Sequence, residues 1–352
     1  MTSSRHQPPS SPRAPGLLQR LATGPVVCAE GYLLELERRG YLQAGAFVPE
    51  VVLEHPEQVT ALHEQFVHAG SDVVLAFTYY AHREKLRTIG KNELLEPLNR
   101  QALGLARAVA DASGTLLAGN VCNSNIYDPV DPQTHTAVRA MFDEQVGWAA
   151  DAGVDYVVGE TFRYAGEAML ALDAIREAEL PAVITLVVGP TDEMRDGGSP
   201  PDACRRLAGA GADVVGLNCI RGPATMLPLL GGIVDAVDVP VAALPVAYRT
   251  TTEQPTLHLL RDPLRPDLLP GDMPFPTALD PFTSNRYEIA EFTTAAAAAG
   301  VRYFGLCCGA APHHVRAMAE TLGRTPPASR YTADMSQHVF FGTGSGTVPP
   351  RP

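Results

Sequence analysis

Ala210-Gly211-Ala212-Asp213-Val214-Val215 is the stretch on which the reading of the fold turns. The phrase also occurs as Ala69-Gly70-Ser71-Asp72-Val73-Val74 and as Ala152-Gly153-Val154-Asp155-Tyr156-Val157. A fourth copy, Ala299-Gly300-Val301-Arg302-Tyr303-Phe304, has arginine in place of the acid. In each copy a helical pattern ends at glycine, the residue that most readily adopts the left-handed turn closing a helix. A short β-branched or aromatic run follows, as in a strand buried on both faces of a parallel sheet.

Working outward, apolar runs at 26–28, 73–77, 115–119, 156–159, 182–187, 214–217, 241–244 and 303–306 read as eight strands. Helical patterns separate most of them, at 55–69, 93–112, 134–152, 165–177, 201–210, 224–236 and 284–299, with a last one at 312–322. Eight strands alternating with helices over about 300 residues predict a single-domain (β/α)8 barrel, the TIM-barrel α/β class. A doubly wound open sheet is the structural alternative, although no Gly-x-Gly-x-x-Gly follows the first strand. The expected organisation is a disordered tail over 1–16, the barrel over 17–325 and an irregular tail over 326–352. Residues 245–281, long and proline-rich before the last helix and strand, form the kind of loop that usually serves function.

The 352-residue chain carries a formal charge of −12, which argues against nucleic acid or an anionic membrane surface as a partner. No apolar run approaches the roughly 18 residues of a membrane span. The first sixteen residues lack the apolar stretch of a secretory signal. Six cysteines in a chain of this length are no disulfide framework, and free thiols in a cytoplasmic setting are expected.

In such barrels the chemistry gathers where the strands end. The eighth run ends in Gly305-Leu306-Cys307-Cys308-Gly309 and the sixth in Gly216-Leu217-Asn218-Cys219. A disulfide between neighbours is strained, so the vicinal pair reads as two thiols aimed at one object. Three thiolates at two strand ends suit one Zn2+ with an open fourth position; the plainer reading is buried packing, which is assigned to Cys28, Cys122 and Cys204. The other strand ends supply Glu30, Gly31, Tyr79, Tyr80, Asn120, Glu160 and Tyr248. Glu160 and Glu30 are ligands for a substrate cation or helix caps. Tyr79 and Tyr80 form an aromatic box for an ammonium or sulfonium, or simply pack. Asn218 orients a backbone or substrate group, while His313 and His314 read as surface or capping residues.

These residues resemble the homocysteine S-methyltransferase family, its betaine branch above all. The resemblance runs from about Gly16 to Ser329 through Glu37-Arg38-Arg39-Gly40-Tyr41, Phe77-Thr78-Tyr79-Tyr80-Ala81, Gly216-Leu217-Asn218-Cys219, Cys307-Cys308-Gly309 and Pro312-His313-His314-Val315-Arg316-Ala317. It implies a (β/α)8 barrel and zinc on Cys219, Cys307 and Cys308. It also implies that Glu160 holds the acceptor's amino group and that Tyr79 and Tyr80 face the donor's methylated nitrogen. The substrates implied are homocysteine and a methylated cationic donor, and the product is methionine. Ala29-Glu30-Gly31 stands where the family has Asp-Gly-Gly, so Glu30 and Gly31 are the counterparts expected to bind substrate. Phe47 replaces the donor-box tryptophan, Thr161 the tyrosine after the glutamate, and Leu306 the glycine before the cysteine pair. The family's C-terminal arm has no counterpart, so a monomer or dimer is expected in place of a larger homo-oligomer.

A thiol reacts as its thiolate, and zinc would deprotonate an incoming thiol for attack on a methyl group. Readings that remain open are S-methylmethionine or another methylated amine as donor, a different thiol as acceptor, and a non-catalytic zinc barrel with a fourth protein ligand. A metal-free lyase using Glu160 and Glu30 as acid and base is another.

Overall fold

The computed structural model describes residues 15–264, 273–338, 340 and 342. Eight parallel strands, β1 (Val26–Ala29), β2 (Val73–Leu75), β3 (Leu116–Cys122), β4 (Tyr156–Phe162), β5 (Ala182–Leu186), β6 (Val214–Asn218), β7 (Val241–Leu244) and β8 (Val301–Leu306), close into a barrel in sequence order. The β1–β8 ladder, from Val26 opposite Tyr303 to Ala29 opposite Leu306, excludes the open sheet. Almost every strand residue is buried, because the barrel interior covers one face and the ring of helices the other.

The recurring phrase has a mechanical explanation. Gly70, Gly153, Gly211 and Gly300 all take positive φ at the turn into a strand. The aspartate after the turn then grips the preceding strand at two points. Asp72 donates its N–H to Val27 O (2.8 Å) and accepts from Val27 N at Oδ2 (2.7 Å). Asp155 does the same with Leu117 and Asp213 with Ala182, at 2.8–2.9 Å. Each clamp sets the register of a neighbouring strand pair at the N-terminal end of the barrel. In the fourth copy Arg302 is exposed.

Two strands run further than their apolar runs suggest. β3 and β4 stay paired to Cys122 opposite Glu160, and the β4–β5 register shifts between Gly159 and Phe162. Asn120, Cys122, Glu160 and Thr161 therefore lie within strands, where the sequence reading puts them after strand ends. Four helices have no counterpart in the expected set: Leu17–Thr23, Tyr32–Arg38, Val51–Glu54 and Arg83–Ile89. Among its described residues, the long segment after β7 forms short 3-10 turns at Leu257–Leu259 and Asp280–Phe282. It buries Leu257, Leu260 and Leu279 against Cys219 and Cys307, so it roofs the C-terminal mouth of the barrel. The tail expected over 1–16 lies outside the described residues up to residue 14, as does the last stretch from residue 343. Between them, Pro327–Tyr331 and Met335–Gln337 form 3-10 turns. No described helix is long and apolar enough to cross a membrane.

Candidate active site

The three cysteines come together from two non-adjacent strands. Cys219 follows β6 at φ 56° and Ile220 continues at φ 33°, conformations that cost a side-chain-bearing residue on the order of 1–3 kcal/mol. The turn is held by Cys219 N–H donating to Leu244 O at 2.9 Å and Arg221 N–H to Cys219 O at 2.6 Å. Cys307 and Cys308 follow β8. Cys307 N–H donates to Pro245 O (2.9 Å), and Cys308 O accepts from Ala247 N (3.0 Å). Gly309 turns the chain at φ 80°, and a side chain there would run into the ring of Tyr248. All three sulfurs lie within 4.8 Å of one another, with Cys219 Sγ 3.7 Å from Cys308 Sγ.

That spacing is too long for a disulfide, and all three thiols are free. Tetrahedral zinc with bonds near 2.3 Å separates its sulfurs by about 3.8 Å. Among the described residues no fourth His, Cys, Asp or Glu donor joins the cluster. The donor set therefore fits a zinc ion with one open position and does not make a closed structural site. The thiols also share charge: hydrogen bonds from Cys307 and Cys308 hold Cys219 well below the usual thiol range, and the same bonds push its two partners up.

Beside the sulfurs sits a pair of buried carboxylates. Glu30, after β1, is 2% exposed, and its oxygens meet no amide, hydroxyl or cation, only the carboxyl of Glu160. It is followed by Gly31 at φ 92°, where a Cβ would stand 2.6 Å from Cys307 O. Only glycine lets β1 turn this close to the cysteine pair. Glu160, on β4 and 3% exposed, accepts from Asn120 Nδ2 at 2.6 Å and from Asn218 Nδ2 at 2.8 Å. Thr161 Oγ1 adds a third donor at 3.2 Å. Asn218 is oriented in turn by accepting Thr161 N–H at 2.9 Å, and its amide lies 3.9 Å from Cys307 Sγ.

Oxygens of Glu30 and Glu160 and the Cys307 sulfur fall within 4.8 Å of one another. Burial pushes the Glu160 carboxyl up to about 7 against the pull of Asn120. It pushes Glu30 well above the carboxylate range, helped by the charge of Glu160. Buried polar atoms without partners are rare and costly. A cationic ammonium group between these carboxylates would remove the penalty at both.

The remaining expected residues divide. Tyr79 lines the cavity together with Glu30, Phe77, Glu160, Cys307 and Cys308. Tyr80 lies behind it, ring centroids 4.4 Å apart, at φ 61° with its N–H donating to Cys122 Sγ at 3.3 Å. A protein cation already covers Tyr80, because Lys85 Nζ stands 3.9 Å from its ring centroid. Phe47, at φ 56°, packs against the apolar group that contains Cys219 and Cys307. Tyr248 is fully buried, and its hydroxyl accepts from Arg38 Nη2 at 2.8 Å; it backs the Cys308–Gly309 turn. His314 caps its own helix, accepting Ala311 N–H at 3.2 Å while its other ring nitrogen lies 2.7 Å from Ser284 O. Two functional positions escape sequence reasoning. Asn120 was visible as a strand-end amide without a stated role, and Thr161 as a departure from the family pattern. Their shared task of holding Glu160 shows only when β3, β4 and β6 are side by side.

Comparison with known proteins bears on the family. The family pattern described as "Homocysteine S-methyltransferase" matches residues 30–322. S-methylmethionine–homocysteine S-methyltransferase of Mus musculus is 34% identical over 350 residues, covering 96% of this chain and 89% of that protein. Betaine–homocysteine S-methyltransferase 1 of Mus musculus is 35% identical over 341 residues, covering 94% and 79%. Among solved structures, the metallated form of the homocysteine methyltransferase MmuM from Escherichia coli superposes with a TM-score of 0.67. It shares 20% identity over 86% of this chain and 98% of that one, and so bears on the fold alone. With the family pattern spanning most of the barrel and both mammalian enzymes alike over nearly the whole chain, the protein belongs to the homocysteine S-methyltransferase family.

Proposed function

We propose that the barrel over residues 17–325 moves a methyl group from a cationic donor to the thiol of homocysteine on a zinc ion held by Cys219, Cys307 and Cys308. The donor placed first is a betaine-type trimethylammonium compound. The observation that carries this reading is the adjacency of an open three-thiol face and a buried carboxylate pair in which Glu30 has no donor. A substrate with a thiol at one end and an ammonium at the other satisfies both at once.

The bound ion would lower the acceptor thiol's pKa, so that the thiolate form is available at neutral pH. Glu160, braced by Asn120 and Asn218, and Glu30 hold the amino group and fix the acceptor's orientation. Tyr79 offers its ring face to the onium methyl groups, an attraction of roughly 0.5–2 kcal/mol depending on desolvation. Leu257, Leu260 and Leu279 roof the cysteines and exclude water. Displacement is in line: the acceptor sulfur forms a bond to the methyl carbon, and the carbon–nitrogen bond breaks. The amine leaves with that electron pair and becomes neutral at the nitrogen. The chain's contribution is alignment of the three atoms, and no proton moves in that step.

A sulfonium donor such as S-methylmethionine is the second reading. It is favoured by Lys85 on Tyr80, which leaves less aromatic surface for a trimethylammonium. Methyl-labelled glycine betaine, S-methylmethionine and dimethylsulfonioacetate, each incubated with homocysteine and zinc-loaded protein, decide between them. Label in methionine from glycine betaine supports the first reading. Absence of label from every onium donor would overturn both.

A further inference from the structure

A second cavity opens on the same barrel face, walled by Arg163, Met194, Arg195, Ile220 and His258. It adjoins the cysteine cluster through Ile220, the residue after Cys219, and its character is opposite to that of the carboxylate cavity. Arg163 follows the end of β4, two residues beyond Thr161. Arg195 is brought beside it by its own N–H donating to Arg163 O at 2.9 Å. Asp196 pins the same loop by accepting from Ala165 N (2.9 Å) and Gly166 N (2.8 Å). His258 descends from the segment after β7, its ring 4.4 Å from that of Phe275.

The cations here are unequal. Arg221, 5% exposed, is fully engaged: it donates to Val188 O at 3.0 Å, to Thr225 O at 3.1 Å and to Gly189 O, and it pairs with Asp192. It ties the floor of the cavity in place. Arg163, Arg195 and His258 form no ion pair and no side-chain hydrogen bond among the described residues; Arg195 only lies over the Tyr164 ring at 6.0 Å. Glu193 is the one acid on the wall, and it is exposed. The nearby Glu167 directs its carboxylate to Ser124 N and Oγ instead. Two arginines without an ion-pair partner, on a floor held by a third that is satisfied, form a receptor for an anion, and His258, which burial and Arg163 push toward its neutral form, adds a ring nitrogen to the wall.

We propose that this cavity binds the carboxylate of a zwitterionic methyl donor, Arg163 and Arg195 taking the carboxylate while the onium end lies toward the cysteines. The inference rests on the methyltransferase reading above. The first cavity is taken by the acceptor, whose amino group lies between Glu30 and Glu160, so a donor with charges at both ends needs a separate anchor for its anion. The same arrangement disfavours a donor whose far end is neutral.

Glycine betaine and choline have the same trimethylammonium group and differ in carboxylate against hydroxymethyl. Titration calorimetry on the full zinc-loaded chain should show tighter binding of glycine betaine. Arg163→Gln should weaken glycine betaine at least about tenfold and choline less than about twofold, with Arg163→Lys recovering part of the loss. In turnover the same variant should raise the KM for glycine betaine and leave the KM for homocysteine unchanged. If Arg163→Gln fails to fold, exposed Arg195→Gln makes the same comparison. Equal losses for both compounds, no loss for glycine betaine, or wild-type protein that prefers choline or binds neither would overturn the subsite. Failure of methyl transfer from every onium donor defeats the methyltransferase reading alone, because selective loss of glycine betaine binding would still stand.

Discussion

The two ends of the barrel treat acidic residues in opposite ways. At the N-terminal end Asp72, Asp155 and Asp213 each have a backbone N–H within 2.8 Å, and each returns an N–H to the same neighbour. At the C-terminal end Glu30 is buried with no amide, hydroxyl or cation on its oxygens, and Glu160 is held by amides but close to that second carboxyl. One end uses carboxylates to set register. The other leaves them in want of a cation, and it is also where Thr161, Cys219 and Ile220 take strained positive φ. Stability is built at the first end and given up at the second, as expected where a site must be shaped before its ligand arrives.

The harshest way to break this contrast is to remove a sulfur. Cys307→Ala should lower bound zinc from about one per chain to none and abolish methyl transfer, while the circular dichroism spectrum stays native. Elemental analysis decides it, and full zinc occupancy in the Cys307→Ala/Cys308→Ala double variant would remove the site assignment.

A pH scan comes next. Burial pushes His63 and His82 down to about 3 and His314 to about 4. Unfolded histidine titrates near 6.5, so below that pH the unfolded chain takes up protons that the folded chain refuses. Stability from these groups is complete above about pH 6.5 and falls as pH drops toward 4, by up to about 1.4 kcal/mol per unit for each. Urea midpoints at pH 7.5, 6 and 5 should fall in that order. A flat series would show that some of these rings are charged in the fold.

The carboxylate ends can then be tested against each other. Glu30→Gln should weaken homocysteine binding by roughly 1.5–3 kcal/mol, the value of a charged hydrogen bond. It should leave the melting temperature unchanged or raised, since a carboxyl that burial and Glu160 hold well above the carboxylate range gives way to a neutral amide of the same shape. Asp213→Ala should do the reverse, costing about 1–2 kcal/mol of stability through two lost strand contacts while the KM for homocysteine holds. A Glu30→Gln variant that melts markedly lower would mean that Glu30 has a structural partner.

Much of this molecule was legible before folding was considered. Four copies of one phrase gave the helix–turn–strand unit, because a glycine C-cap and a β-branched run are local preferences that neighbours along the chain can enforce. Cys219, Cys307 and Cys308 stood out because thiols at strand ends are rare enough to be informative. Other features depended on residues far apart in sequence. Glu160 lies on a strand and not after one because β3 continues to pair with β4, a long-range ladder that an apolar run does not announce. Lys85 on the Tyr80 ring follows from where the helix Arg83–Ile89 lands. Arg163, Arg195 and His258 come from three separate segments and meet only because the closed barrel brings its loops to one face. Local propensity acts over a few residues, so the sequence by itself determined the units and the thiols. Barrel closure alone decided which charges face one another, since burial and distance exist only once the strands have joined.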